Sequence, residues 1–464
     1  MYDLDHDGAR LRADDKPDGA QAGAVDQSPE DTKRPRFGRD YDRIVHTSAF
    51  RRLQGKTQVV SPGQADFFRT RLTHTIEVAQ IARRLAWRLC ESNGSDRAIE
   101  VADVCEAAAT MHDLGHPPFG HTGEKALNAE LDCIANEWAL DGLAVGGYEG
   151  NAQSFRQVVW SLKHAGEPGL HLTRASLDAS IKYPRTRTSL DQLKWNYYPS
   201  ETWAFDWVKE GADSTRSHSF EAEIMEWADD IAYATHDIDD WYRAGYMPLP
   251  MLTNSDDSRK NLAQEIMTSW DRKGEVYDRD TVLGTVHDLF TDDLAFDGFK
   301  KLPEGHDGSS EAKNAIRQMR GRLFSMFIND VVAGGDVSRG RYDAELDIPK
   351  PIKMRNKILK AMLWIYVIEH PRMATHQYGQ REAVRFLVRT YAAAAISSDR
   401  DARQCFPRSA RTELDRLRAA ADVAPHDAEV LRLVADHVGG MTDSYATMMH
   451  RRLTGAVAPF NEFT

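Results

Sequence analysis

The chain has 464 residues, a formal net charge of -12 and four scattered cysteines (Cys90, Cys105, Cys133, Cys405) with no C-x-x-C spacing. That acidic balance excludes a general nucleic-acid coat, and the cysteine spacing speaks against a zinc finger or a disulfide framework. The longest apolar run, Ala361–Ile368, is too short for a bilayer, and the N-terminus lacks a signal-peptide order, so the chain reads as a cytoplasmic protein able to bury a large core.

Residues 1–32 are rich in Asp, Gly, Ala and Gln, which predicts a disordered acidic tail, with order beginning near Arg36. A basic segment follows: Lys33, Arg34, Arg36, Arg39 and Arg43, then Arg51, Arg52 and Lys56. It suits a small, highly charged anion, and charge alone suits a solvated basic face as well. Leu72, Ile76, Ala79, Ala82, Leu85, Ala86 and Leu89 form an apolar stripe at helical spacing, with His74 inside it and Glu77 one turn on. A second stripe, Val101, Val104, Cys105, Ala108 and Met111, runs directly into His112.

Loops or insertions are expected at 142–150, 183–201, 302–310 and 334–350, where Gly, Pro and polar residues gather. A third helical stripe runs Phe220, Ile224, Trp227, Ile231, Ala234, Ile238. Helical patterning returns at 353–369, 381–395, 409–422 and 428–453, and strand alternation is weak throughout. The expected architecture is all-α: one large domain over 33–464, with a metal-site core at about 50–245 and a helical C-terminal part at about 250–464.

Residues 112–124 carry the densest chemistry: His-Asp-Leu-Gly-His-Pro-Pro-Phe-Gly-His-Thr-Gly-Glu. Three imidazoles and two carboxylates stand among glycines and prolines that a plain helix avoids. Imidazole and carboxylate suit a divalent metal, and the remaining side chains are free for acid–base work and for phosphate. A His-Asp pair alone says little, since the same pair recurs at His6, His236, His287, His306 and His426. Downstream, Asp229, Tyr233 and Asp237 stand four residues apart and share one narrow helical stripe. Such a stripe is either a solvated face or one wall of a sugar or phosphate pocket.

The pattern His74, His112-Asp113, Asp229 resembles the metal ligand set of the HD-domain phosphohydrolases. Longer words narrow the resemblance to the deoxyguanosinetriphosphate triphosphohydrolase (dGTPase and dNTPase) family. They are Phe-Arg-Arg-Leu-Gln-Gly-Lys-Thr-Gln at 50–58, Arg-Leu-Thr-His-Thr-Ile-Glu-Val-Ala-Gln at 71–80 and the His-Asp word at 112–121. Tyr-Glu-Gly-Asn-Ala-Gln at 148–153, Ala-Asp-Asp-Ile-Ala-Tyr at 228–233 and Gly-Met-Thr-Asp-Ser-Tyr-Ala at 440–446 continue it. The match is dense from about Lys33 to Tyr246 and thin between 250 and 430.

The resemblance implies an HD-type helical fold and a divalent metal (Mn or Mg first, with Fe, Co or Ni also suited) on His74, His112, Asp113 and Asp229. It implies hydrolysis of a deoxynucleoside triphosphate, dGTP favoured, to deoxynucleoside and inorganic triphosphate, in control of dNTP pools. His121 matches the family's catalytic histidine, Glu124 its carboxylate partner and His116 a phosphate contact. Without the family, a turn cap is the lesser alternative for either histidine. Gln58 and Arg71 match contacts to the deoxyribose and the α-phosphate, and Tyr233 and Asp237 a pair that closes the sugar pocket. Lys182 matches a cation for the outer phosphates or is an exposed loop lysine. Lys353, Arg355, Lys357 and Lys360 read as a solvated helix face or subunit contact.

A homo-oligomer, with a hexamer among the options, and control by an activating nucleotide or single-stranded DNA also follow from the resemblance. Two other readings compete: an HD-fold hydrolase of a nucleoside monophosphate or cyclic nucleotide, and a nucleotide- or single-strand-DNA-binding regulator with a vestigial site.

Overall fold

The computed structural model describes residues 6–12, 15, 35–58, 68–212, 216–291, 296–337, 341–368, 371–419 and 427–456. Twenty α-helices lie among the described residues, with two small antiparallel hairpins, so the fold is all-α. The second hairpin pairs Val332–Gly335 with Ala344–Asp347. It falls where a loop was expected, because four-residue strands are too short to show alternation.

Three helices build the centre. Arg71–Ser92 opens on a capping box in which Thr70 accepts from the Thr73 amide while Thr73 accepts from the Thr70 amide. Ala98–Met111 is apolar on nearly every side and buries ten of its fourteen residues, as a central helix must. Phe220–Arg243 is capped by Ser219 and packs Ile224, Trp227 and Ile231 into the same core. Leu85 is fully buried there, where truncation to Ala costs about 2–5 kcal/mol. Ile76, expected inside, is 49% exposed.

Two further cores flank this one. Gly120–Glu137 packs with Pro371–Ile396, Ala428–Gly439 and Asp443–Leu453. Ile44, Leu53, Met111, Leu114 and Phe155 belong to the third. The stretch from Ala109 to Phe119, with His112 inside it, therefore touches all three: Ala109 belongs to the first, Met111 and Leu114 to the third, and Phe119 to the second.

Two expectations are corrected. The tail departs from disorder at residues 6–12, which dock on the body; most of the remainder of 1–32 lies outside the described residues. Leu11 is 3% exposed and its amide reaches the Leu172 carbonyl at 3.1 Å, while Arg10 donates to buried Asp40 at 2.6 Å. One leucine and a partner for a buried carboxylate supply what bulk composition hides. The helical patterning over 428–453 is broken at Gly440–Thr442, giving Ala428–Gly439 and Asp443–Leu453. Thr442 caps the second helix by accepting from the Tyr445 amide.

Candidate active site

His74, His112 and Asp229 come from the three central helices and converge. Their ligand atoms lie within 4.8 Å of one another. His74 Nε2 is 3.2 Å and His112 Nε2 3.8 Å from Asp229 Oδ1. His112 stands at the end of Ala98–Met111, where its Nδ1 meets the Ala109 carbonyl at 2.6 Å. That bond places the proton on Nδ1 and leaves Nε2 a lone pair aimed at the cluster, the arrangement a metal-ligating imidazole requires.

Asp113 is a neighbour of this triad with other partners. Its Oδ1 is 3.4 Å from His112 Nε2 and 3.0 Å from His116 Nδ1, and Arg71 donates to its Oδ2 at 2.7 Å. Burial alone would raise the Asp113 carboxyl, but Arg71 and His112 outweigh it and hold the group well below the carboxylate range. Asp229 is held down likewise by Lys182 and His74 against its own burial. Two imidazoles and two ionised carboxylates suit a divalent ion, so the residues fit the metal that the HD pattern implies.

A second group stands next to the first. His116, His121 and Glu124 bring their ligand atoms within 4.8 Å of one another, and His116 joins the two groups through Asp113. His121 Nδ1 is 3.6 Å from Glu124 Oε2, and its side chain is 65% exposed, open to a substrate. His116 is buried, and burial with Arg71 pushes its imidazole down to about 4, so it is neutral at physiological pH. Burial would raise Glu124, but the His121 hydrogen bond and the Lys194 charge hold it ionised.

The other expected residues sort as follows. Lys182 Nζ lies 3.2 Å from Asp229 Oδ2 and 3.8 Å from Glu226, so it packs against the triad and is not an exposed loop lysine. Arg71 spends its guanidinium on Asp113 and the Thr57 carbonyl. Gln58 presents a buried Oε1 with no protein partner. The stripe on Phe220–Arg243 faces inward: Asp237 is 2% exposed with Oδ2 unpartnered, and burial raises its carboxyl to about 7. Tyr233, one turn before it, packs against the first core.

Three cations of the basic segment near the N-terminus are spent on backbone carbonyls. Arg43 donates to Leu170 and His171, Arg51 to His46 and the buried Lys56 to His116 and Gly439. Lys360 is corrected: its Nζ sits 2.5 Å from Asp230 Oδ1 and 6.0 Å from the Tyr233 ring, beside the site wall and not on a free face.

Sequence reasoning passed over Lys194, which lies in the loop at 183–201 and reaches Glu124 at 3.2 Å and Glu149 at 2.8 Å. No local pattern marks it. Glu149 stood inside a quoted motif without a role; it is fully buried, caps Gly150–Arg156 and anchors Lys194.

Comparison with known proteins agrees with this geometry. Residues 71–151 match the HD domain and residues 346–452 the phosphohydrolase-associated domain. A deoxyguanosinetriphosphate triphosphohydrolase-like protein of Streptomyces coelicolor is 35% identical over 92% of this chain and 95% of its own length. The chain belongs to the deoxyguanosinetriphosphate triphosphohydrolase-like family. Its relative of that name in Corynebacterium diphtheriae is 33% identical over 88% of this chain and 89% of its own length. Like protein 1 of that name in Mesorhizobium japonicum, 33% identical over 92% of this chain and 91% of its own length, it spans nearly the whole of its relatives. This triphosphohydrolase-like chain is thus an HD-domain phosphohydrolase with a divalent-metal site. No helix among its described residues is long and apolar enough to cross a membrane.

Proposed function

We propose that the protein hydrolyses a deoxynucleoside triphosphate, dGTP favoured, to deoxynucleoside and inorganic triphosphate. The observation that carries this is the pairing of a metal-type group, His74, His112 and Asp229, with an acid–base group, His116, His121 and Glu124, bridged by His116 and Asp113. A divalent ion on His74, His112, Asp113 and Asp229, with Mn or Mg favoured, would neutralise phosphate charge and lower the pKa of a bound water.

Water adds its oxygen to the α-phosphorus as the bond from that phosphorus to O5′ breaks. O5′ is a poor leaving group unless protonated, and His121 supplies the proton. The proton lost by the attacking water restores the imidazole. Glu124, kept ionised by His121 and Lys194, orients His121 for that transfer. Neutral His116 faces the phosphate between the two groups, and Lys182 offers charge to the outer phosphates.

Tyr233 and Asp237 face the sugar. A carboxyl raised to about 7 both donates and accepts, which suits a sugar hydroxyl, and a tyrosine ring packed below the 2′ carbon disfavours ribose. Gln58, with a buried and unpartnered oxygen, completes that wall. The reading takes 33–464 as one catalytic body, supported by the stretch from Ala109 to Phe119, which contributes to three cores.

Product analysis tests it. The purified protein is incubated with each dNTP, singly and mixed, with Mn or Mg, and the products are resolved. Deoxynucleoside with intact triphosphate is the expected result. Release of pyrophosphate, or turnover of monophosphates or cyclic nucleotides alone, would overturn it.

A further inference from the structure

Asp443, the first residue of the Asp443–Leu453 helix, is 4% exposed and lies more than three hundred positions from the active-site turn it touches. Its Oδ1 accepts from the Phe119 amide at 2.8 Å. Its Oδ2 accepts from the Thr57 amide at 3.1 Å and from the Thr57 hydroxyl. One carboxylate thus ties together the two segments that meet beneath His121.

Each segment needs the tie. Phe119 is in the left-handed region, with φ at 65°, a conformation a bulky L-residue rarely adopts, and it is the hinge from which Gly120–Glu137 departs with His121 and Glu124. The amide that this hinge turns inward has no helical partner, and Asp443 supplies the acceptor. Thr57 precedes Gln58, and its carbonyl accepts from Arg71, which holds Asp113. Lys56 and Tyr148 fasten the turn from its other side, on the His116 and Gly115 carbonyls. Lys56 also binds the Gly439 carbonyl at 3.1 Å, so both ends of the Gly440–Thr442 break grip the turn.

We infer that Asp443 is a positioning residue for the acid–base half of the site: by clamping Phe119 and Thr57 together it aims His121 at the leaving oxygen and makes the C-terminal helices part of the catalytic unit. This rests on the proposed role of His121 in protonating O5′. Asp443 touches no metal-type ligand and reaches Asp113 only through Thr57 and Arg71, so its loss is expected to misdirect the acid far more than it disturbs the metal.

The test is Asp443→Asn in the full-length, metal-loaded protein. The amide keeps the shape but turns an NH2 toward either the Phe119 amide or the two Thr57 donors that the carboxylate served. Turnover is compared on a dNTP, whose O5′ must be protonated, and on bis-p-nitrophenyl phosphate, whose phenolate leaves without a proton. We expect kcat on the dNTP to fall about 10²-fold, the scale of a lost general acid, with KM, bound metal and nitrophenyl ester turnover changed less than about threefold. Hydrogen exchange over 115–124 should quicken while that of 98–111 holds. An unchanged kcat, or an equal fall on both substrates, overturns the inference. If wild-type protein releases no triphosphate from any dNTP, the function reading has failed; the clamp is then decided by exchange alone, and unchanged protection over 115–124 overturns it.

Discussion

The two halves of the site are held in different ways. His74 and Asp229 lie within the Arg71–Ser92 and Phe220–Arg243 helices, and His112 is fixed by a bond to its own helix's Ala109 carbonyl. Each of these positions is set by local backbone and core packing. The acid–base half hangs on a turn whose free carbonyls and amide are taken by Tyr148, Lys56 and Asp443, and whose Glu124 is gripped by Lys194. None of those four is close in sequence to the turn. The metal half should therefore depend on distant residues mainly through the Arg71 and Lys182 contacts to its carboxylates, and the acid half for its backbone position as well.

The largest effect tests the first statement. His112→Ala should remove bound metal, read by elemental analysis, and lower triphosphate release by about 10³-fold or more. Metal retained at the wild-type level would place the ion elsewhere.

His121→Asn should lower kcat by about 10²–10⁴-fold with bound metal unchanged. Because the side chain is largely exposed, the melting temperature should stay put, and a large drop in it would mean that the histidine is structural.

The C-terminal layer offers a test by pH. His437 packs its ring 4.5 Å from Tyr391, and burial pushes its imidazole down from 6.5 to about 4. Between those values the unfolded chain binds a proton that the folded chain refuses. Stability therefore falls as pH drops through that window, by up to about 3 kcal/mol from this group. Urea unfolding at pH 7.5 and 4.5 should give His437→Phe a smaller acid loss than wild type by about that amount, and parallel losses would sink the assignment.

Lys194→Met should have the smallest effect on rate, about tenfold in kcat. Removing this cation raises the Glu124 carboxyl, so the acid limb of the pH–rate profile should move to higher pH. A shift to lower pH would show that Lys194 does not face Glu124.

Much of the metal half is legible in the residues alone. Helical stripes around His74 and before His112, and the four-residue spacing from Asp229 to Asp237, each come from one continuous segment. Side-chain direction in a helix follows from spacing. Whether the Asp229–Asp237 stripe meets solvent or a pocket stayed open, because periodicity orders the faces of a helix without saying what covers them.

The acid half is less legible. Its residues were named because they sit in one dense word, yet what holds them does not. Lys194 stands in a loop with no pattern, and Lys56 looked like one charge in a basic run. Asp443 lay within a helix expected to continue unbroken from 428 to 453.

By itself the sequence determined the all-α class, the helices that carry His74, His112 and Asp229, and the word that holds His116, His121 and Glu124. These rest on interactions within a few residues, which spacing encodes. Only the tertiary structure decided that the Asp237 stripe faces inward, that residues 6–12 dock, and that Lys194 and Asp443 reach the active-site turn. A buried amide or carboxylate must find a partner, but nothing in its own segment says which distant residue will provide it.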